Sequence, residues 1–260
     1  MSERFPLPIP NGWFQVAYAD EIAKGSALPL HYFGKDLMLS RSLRGGVSLI
    51  ESGGGAPWHC RERNEIVWAW HHGANESPTW EIPVVAEIAS DQWTAFRRHR
   101  WTVRTHNQEI GENAVDRAHF RYVHGTANVP ESELRLEGHI RHAIQHVKMR
   151  TPRGEVDGQI RVEAHGMGCT ITRFTGICET VLLLSHTPID RETVDSRFSF
   201  VQHEADAKSA VASAVVAEVV RQMEQDIPIW EHKRYLAKPM LCDGDGPIPA
   251  YRRWASQFYS

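Results

Sequence analysis

The sequence predicts an α+β protein, mostly antiparallel sheet with one long helix near its C-terminus. Three observations carry this. Short runs of β-branched, aromatic and alternating apolar residues, separated by turn residues, recur from 12 to 107 and again from about 133 to 203. The periodicity becomes helical from Glu204 to about Tyr235. Between the two β-rich regions lies Gln108 to Thr126, QEIGENAVDRAHFRYVHGT, a helical run that concentrates polar and ligating side chains.

Taken in order, residues 12 to 50 read as an antiparallel meander. Trp13–Tyr18 is followed by the polar Ala19–Ser26, then Leu28–Phe33, a turn at Gly34-Lys35, Asp36–Arg41, a turn at Gly45-Gly46, and Val47–Ile50. Glu51–Pro57 places three glycines in a row before a proline, the sharpest composition break in the chain and a flexible connector. Strand character resumes at Ile66–Trp70, and another strand within 91–107 interleaves Trp93, Phe96, Trp101 and Val103 with Arg and His. Past the helical run, segments near 133–149, 156–165, 168–183 and 193–203 alternate polar with apolar or β-branched residues. Turns at Pro152–Gly154, Gly166–Gly168 and Pro188–Asp190 separate them, so a large antiparallel sheet is expected.

In the C-terminal helix, Val211, Val215, Val219, Met223 and Ile227 recur four apart, which sets one apolar face against Lys208, Glu218, Arg221, Gln222 and Gln225. Asp226 lies beside that stripe, between solvent and the sheet interior, and Pro228 permits a kink just after it. The tail, from Pro239 to Ser260, is a proline and glycine turn followed by an aromatic-rich segment expected to dock on the body.

The run Gln108–Thr126 carries the chemistry. In a helix, residues three apart share a face, so Asn113, Asp116 and His119 line up over about two turns, with Phe120 and Val123 packing behind. His124 rejoins His119 only if the last turn loosens, and Gly125 supplies an ending there. Two imidazoles converging near a helix terminus, with a carboxylate one turn back, suit a divalent metal bound through nitrogen and oxygen. With 15 histidines in the chain, two within six residues also arise by chance. On the residues alone, Asp226 is equally a solvated helix carboxylate, and Asn113 and Asp116 are equally helix-surface polarity.

Composition closes off other classes. A net charge of -3 with scattered Lys and Arg gives no basic field, so no nucleic-acid reader is expected. No segment approaches the ~20 apolar residues of a membrane span, and the N-terminus lacks a signal-type apolar run, so a cytoplasmic location is expected. Cys60, Cys169, Cys178 and Cys242 form neither a CxxC nor a Cys-x-His pair and read as reduced, structural thiols.

The spacing Asn113-x-x-Asp116-x-x-His119-x4-His124 resembles the mononuclear-iron motif of the Rieske-type non-heme iron oxygenases, and Asp226 falls where that family takes a third ligand from its long C-terminal helix. Asp226–Lys233 (DIPIWEHK) and Asp245–Tyr259 (DGPIPAYRRWASQFY) are similar to the subgroup of 3-ketosteroid hydroxylase oxygenases and cholesterol desaturases. Pro10–Phe14 and Tyr32–Leu37 resemble that group's opening strands.

The resemblance implies that His119, His124 and Asp226 bind ferrous iron (Fe2+) as a two-histidine, one-carboxylate set with positions left open for dioxygen and water. It also makes Asp116 a bridge carboxylate to a metal-bound histidine and places Asn113 near the iron. It implies two domains: residues 1–83 as a remnant Rieske-like β domain with its glycine linker at 51–57, and residues 84–260 as a helix-grip (START/Bet v 1-like) catalytic domain. The departure is at Glu51–Pro57. There the family brings in a Cys-x-His and a Cys-x-x-His that hold a two-iron, two-sulfur cluster, whereas here His59 and Cys60 are adjacent and no second pair exists. No such cluster is expected in this chain.

Three functions then stand. The first is a monooxygenase subunit acting on a steroid-like or other hydrophobic cyclic substrate, its electrons coming from a reductase or a Rieske-bearing partner within a homo- or hetero-trimer. The second is a cluster-deleted iron protein, natural or engineered, active only with peroxide or inactive. The third is a hydrophobic-ligand-binding protein with a vestigial metal site. An apolar pocket is expected between the strands containing Ile171–Phe174 and Thr180–Leu184 and the Val211–Ile227 helix face.

Overall fold

The computed structural model describes residues 4–125, 132–151, 154–242 and 244–260. Strand β1 (Gly12–Tyr18), β2 (Ala27–Tyr32), β3 (Lys35–Arg41), β4 (Val47–Glu51), β5 (Cys60–Arg63) and β6 (Ile66–His71) form two small antiparallel sheets, ordered β2-β3-β4 and β1-β6-β5. The meander expected from residue 12 is therefore only β2 to β4. β1 leaves it to pair with β6, because β1 is buried along its whole length and needs a partner on the core side. Strand β5, Cys60–Arg63, is short and charged and carries no β-like run of its own, and it falls within Trp58–Asn64, which resembles the family's strand after the cluster region.

The hairpin between β2 and β3 turns on Phe33 and Gly34, both at positive φ (59° and 69°), the twist a two-residue hairpin needs. Their N–H groups donate to the carbonyls of Pro188 and Ile189, fastening this turn to the larger sheet. After β4, Gly54 and Gly55 also take positive φ (90° and 135°) and a Cβ there would meet nothing, so this link is set by the chain's need to cross between sheets.

The larger sheet has seven strands: β7 (Arg97–Val103), β8 (Ser132–Glu137), β9 (Ile140–Thr151), β10 (Gly154–His165), β11 (Cys169–Thr175), β12 (Thr180–Pro188) and β13 (Val194–Gln202). All its pairs are antiparallel in the order β7-β13-β12-β11-β10-β9-β8. Two of the expected segments each hold two strands. The segment near 133–149 folds back at Gly138, whose φ of 52° permits the turn, and 168–183 turns between Thr175 and Thr180. Of the turn expected at Pro152–Gly154, only Gly154 lies within the described residues, as Thr126 lies outside them. In the 91–107 segment Trp93 makes a single bridge to His203 and the strand begins only at Arg97.

Period-two alternation gives the sheet two buried faces. Cys169, Ile171, Val181, Leu183 and Val201 pack against Trp13, Trp68 and Trp70 of the small sheets. Leu182, Phe198 and Phe200, with Phe174 and Leu184 beside them, face the opposite way, toward the C-terminal helix. A buried polar cluster joins the meander to β13. Asp195 accepts from Arg100 (2.8 Å), Arg197 (3.0 Å) and the Tyr32 hydroxyl (2.5 Å), and Arg197 donates to the Tyr32 oxygen at 2.8 Å.

After the short helices α1 (Asn107–Asn113) and α2 (Ala118–Tyr122), the expected helix from Glu204 is two helices, α3 (Glu204–Ala207) and α4 (Ala210–His232). Ser209 ends the first and caps the second, its Oγ accepting from the Ala212 N–H at 3.0 Å. The buried face of α4 is Ala212, Val216, Met223, Asp226 and Trp230, with Val219 and Ile227 packed beside it, so the expected ladder shares Met223 with this face while its first rung, Val211, is exposed. Steps of four drift by about 40° each at 3.6 residues per turn, so a strict ladder winds off the face that alternating steps of three and four follow. That rotation brings Asp226 inward. Helix α5 (Ile248–Ala255) docks as expected, its Tyr251 and Trp254, with Phe258 just beyond it, buried in one cluster with Val115. No helix is long and apolar enough to cross a membrane among the described residues.

Candidate metal centre

The run Gln108–Thr126 is not one helix. Helix α1 (Asn107–Asn113) is capped by His106, whose Nδ1 accepts from the Gln108 N–H at 3.1 Å while its Nε2–H donates to the Pro8 carbonyl. Burial holds this imidazole neutral, its pKa pushed down to about 4, as that tautomer requires. Helix α1 turns its polar side inward and is pinned there. Glu109 meets Lys233 at 2.8 Å, and Glu112 takes a two-pronged grip from Arg252 at 2.6 and 2.9 Å.

The break falls at Ala114–Arg117, where the Asp116 carboxylate accepts from the Ala118 N–H (3.0 Å) and starts α2 (Ala118–Tyr122). An Asp side chain bonding the main chain two residues on competes with helix continuation, the local signal against a single helix. Asn113, Asp116 and His119 therefore do not share one helical face. Gly125, at φ 74°, follows α2 and lets His124 fold back beside His119, the ring centroids 5.0 Å apart.

His119, His124 and Asp226 come together, buried, with one ligand atom of each lying within 4.8 Å of the others. Both rings are oriented by acceptors behind them. His119 Nδ1 hydrogen-bonds the Asp116 main-chain carbonyl, and His124 Nδ1 meets Gln225 Oε1 at 3.0 Å. With each Nδ1 carrying the proton, each Nε2 presents a lone pair to the centre. His124 Nε2 lies 3.5 Å from Asp226 Oδ2, to which the Asn113 amide donates at 2.9 Å while standing 3.3 Å from His119 Nε2.

The Asp226 Oδ1 atom is buried without a partner. Burial raises the Asp226 pKa to about 6, against the pull of His124 and the Asn113 hydrogen bond, and burial also lowers that of His119. A desolvated carboxylate with an unpaired oxygen, facing two unprotonated imidazole nitrogens, fits a divalent cation that prefers nitrogen and oxygen donors.

Asp116 meets His119 through its carbonyl rather than its carboxylate, because the carboxylate is engaged at the start of α2. Sequence reading placed Gln225 on the solvent side of α4 and missed its hold on His124. Its position next to Asp226 on an inward-rotated helix was the available signal. Phe120, set behind the motif in the sequence reading, packs its ring against both imidazoles, 4.1 and 5.8 Å between centroids.

His119, His124 and Asp226 open on a cavity of about 260 Å3, lined by Thr172, Phe174, Leu182, Leu184, Val219 and Met223 among others. It lies where the sequence placed it, between two strands and the long helix, with Ile171, Val181 and Leu183 turned to the other face of the sheet.

Residues 69–259 match the family described as the 3-ketosteroid 9alpha-hydroxylase C-terminal domain, a span that holds α1, α2, α4 and the three candidate metal-ligating residues. The chain belongs to this family. Among 3-ketosteroid hydroxylase relatives, the oxygenase component of a 3-ketosteroid-9-alpha-monooxygenase from Rhodococcus rhodochrous is 30% identical over 230 residues, 78% of this chain and 59% of the relative. Cholesterol 7-desaturase from Caenorhabditis elegans is 26% identical over 339 residues, 98% of this chain and 78% of that protein. The chain thus spans about three-fifths of that bacterial relative. The alignment to the desaturase is longer than the chain's own 260 residues, so that relative carries residues without a counterpart here. Dicamba monooxygenase bound to 3,6-dichlorosalicylic acid superposes with a TM-score of 0.76 over 97% of this chain and 98% of that one at 13% identity. NdmA from Pseudomonas putida CBB5 with caffeine gives 0.73 over 97% and 89% at 14% identity. These likenesses establish the family's fold in this chain.

Proposed function

We propose that this chain is a mononuclear non-heme iron hydroxylase acting on a steroid-like or other hydrophobic cyclic substrate, with His119, His124 and Asp226 holding ferrous iron and a separate partner supplying electrons. The observation that carries the reading is the convergence of two lone-pair Nε2 atoms and a carboxylate with an unpaired oxygen at the wall of an apolar cavity.

Bound there, ferrous iron would supply dioxygen activation, for which three protein ligands leave coordination positions free. The chain's own residues do the rest. Gln225 and the Asp116 carbonyl fix the two ring tautomers, and Asn113 holds the Asp226 carboxylate through its amide. Phe120 closes one side of the imidazole pair, and the lining from Thr172 to Met223 excludes water and seats an apolar ring frame. Asp116 is the proposed bridge toward the electron source, acting next to His119.

Separate electron supply is supported by the absence of any Cys-x-His pair in the sequence, by the glycine link after β4, and by the extra residues of the desaturase relative. The partner is a reductase or a Rieske-bearing protein, and the assembly a homo- or hetero-trimer, with residues 1–83 as the remnant domain and 84–260 as the catalytic one. Iron-loaded protein given a ketosteroid, a reductase and a Rieske protein is expected to show substrate-dependent oxygen uptake. Product with hydrogen peroxide alone would replace this reading by the cluster-deleted one. Ligand binding with no iron by metal analysis would replace it by a vestigial metal site.

A further inference from the structure

We infer that Arg141 and Tyr251 form an anion subsite in the cavity, and that the molecule taken there carries a carboxylate on an otherwise hydrophobic ring frame. This deepens the reading above by naming the substrate class, and rests on it for which cavity the substrate enters.

Arg141 lies on β9 opposite Ala164, in a cross-strand row that continues through Thr170 to Leu184, so its side chain leaves the sheet on the cavity face. It is 5% exposed. Tyr251 reaches the same cavity from α5, across Gly111 of α1, where an added Cβ would fall 1.7 Å from the tyrosine oxygen.

The other guanidinium groups buried to a similar degree are satisfied. Arg197 binds Asp195 and the Tyr32 oxygen, and Arg41 binds the carbonyls of Ile22, Gly45 and Ala19 and the Glu62 carboxylate. Among the described residues, neither the Arg141 guanidinium nor the Tyr251 hydroxyl has a hydrogen-bond or ion-pair partner. Burial depresses the Arg141 pKa, and no carboxylate among the described residues offsets that depression. Burial also raises the Tyr251 pKa, so its hydroxyl is kept as a neutral donor.

A buried, unpaired guanidinium is costly, and its donors are a rigid fork matched to a carboxylate. One positive charge and one neutral donor balance a monoanion rather than a doubly charged phosphate. Arg141 enters the cavity from β9 and Asp226 from α4, so the guanidinium and the candidate ligand cluster line it from different elements. An amphipathic acid is thereby oriented, its carboxylate at Arg141 and its ring frame toward His119 and His124.

The test is isothermal titration of metal-free protein with lithocholate and abietate and with the methyl ester of each. At least one acid is expected to bind about tenfold or more tightly than its ester, the size of a charge-assisted pair. Arg141→Leu should level acid and ester while keeping ester affinity, and Tyr251→Phe should narrow the gap. If Arg141→Leu fails to fold by circular dichroism, Arg141→Gln takes its place with the same expectation. Equal affinity for acid and ester in the unaltered protein, a preference that survives loss of the guanidinium, or binding of none of the four compounds would overturn the inference. Because the titration contains no iron, a failed oxygenase assay leaves this result standing, and acid–ester parity leaves the oxygenase reading standing.

Discussion

The Asp226 carboxylate approaches His124 Nε2 to 3.5 Å through one oxygen while its other oxygen is buried without a donor. That half-satisfied carboxylate, on a helix far along the chain from both histidines, defines the centre. Replacing Asp226, His119 or His124 by Ala is expected to abolish stoichiometric iron uptake in anaerobically loaded protein, read by metal analysis, with the far-ultraviolet spectrum retained. Wild-type iron content in Asp226→Ala would remove the site.

Gln225 offers a subtler check. Its Oε1 fixes the His124 tautomer, so Gln225→Ala should weaken ferrous iron binding roughly 10- to 100-fold without abolishing it. Titration calorimetry under nitrogen separates this from a merely exposed helix residue, whose substitution would leave the affinity unchanged.

Asp195 is fully buried, and although burial alone would raise its pKa, the hydrogen bond from Arg100, the charge of Arg197 and the Tyr32 hydroxyl hold it below 3.8. Because the folded value is depressed, the stability it contributes is present above the unfolded value of 3.8 and is lost as pH falls through the lower folded one. Asp195→Ala removes the closer of the two carboxylates paired with the buried Arg197, leaving only Glu21 at 3.4 Å, and should cost about 3 kcal/mol in urea unfolding at neutral pH. In Asp195→Asn the portion of acid destabilisation that begins below pH 4 should shrink, and an unchanged acid limb would contradict the assignment.

Gly168 sits in the turn between β10 and β11, against β1. A Cβ there would lie 2.3 Å from the Trp13 carbonyl oxygen and 2.4 Å from the Phe14 ring. Main chain cannot swing aside as a side chain can, so Gly168→Ala should destabilise by about 1–3 kcal/mol. Iron content should stay intact, since no ligand touches this turn. A thermal midpoint equal to wild type would show that the two layers are not pressed together there.

Much of the fold was legible because strands and helices announce themselves locally. Leu28–Phe33, Asp36–Arg41 and Ile66–Trp70 alternate or cluster as β runs do, and the stretch after Glu204 has a helical period. The errors came where a local rule met a tertiary demand. β1 looked like the first strand of a meander, yet its burial on both faces required β6. The four-apart ladder from Val211 holds as a core stripe at Met223, with Val219 and Ile227 packed on the core, yet its start winds off the face and leaves Val211 exposed while Ala212 and Val216 are buried.

By itself the sequence determined most element types, the apolar pocket between two strands and a helix, and the pairing of His119 with His124 near a helix end, while Asp226 entered as a ligand candidate only through the family resemblance. Spacing and periodicity are properties of neighbours along the chain. The tertiary structure alone decided that Asp226 turns inward, that Gln225 rather than the Asp116 carboxylate orients a ring, and that Arg141 has no partner among the described residues in an apolar cavity. Those facts depend on which groups from distant segments share a desolvated space, where a carboxylate or guanidinium must find a partner or remain unsatisfied, and no local pattern encodes that choice.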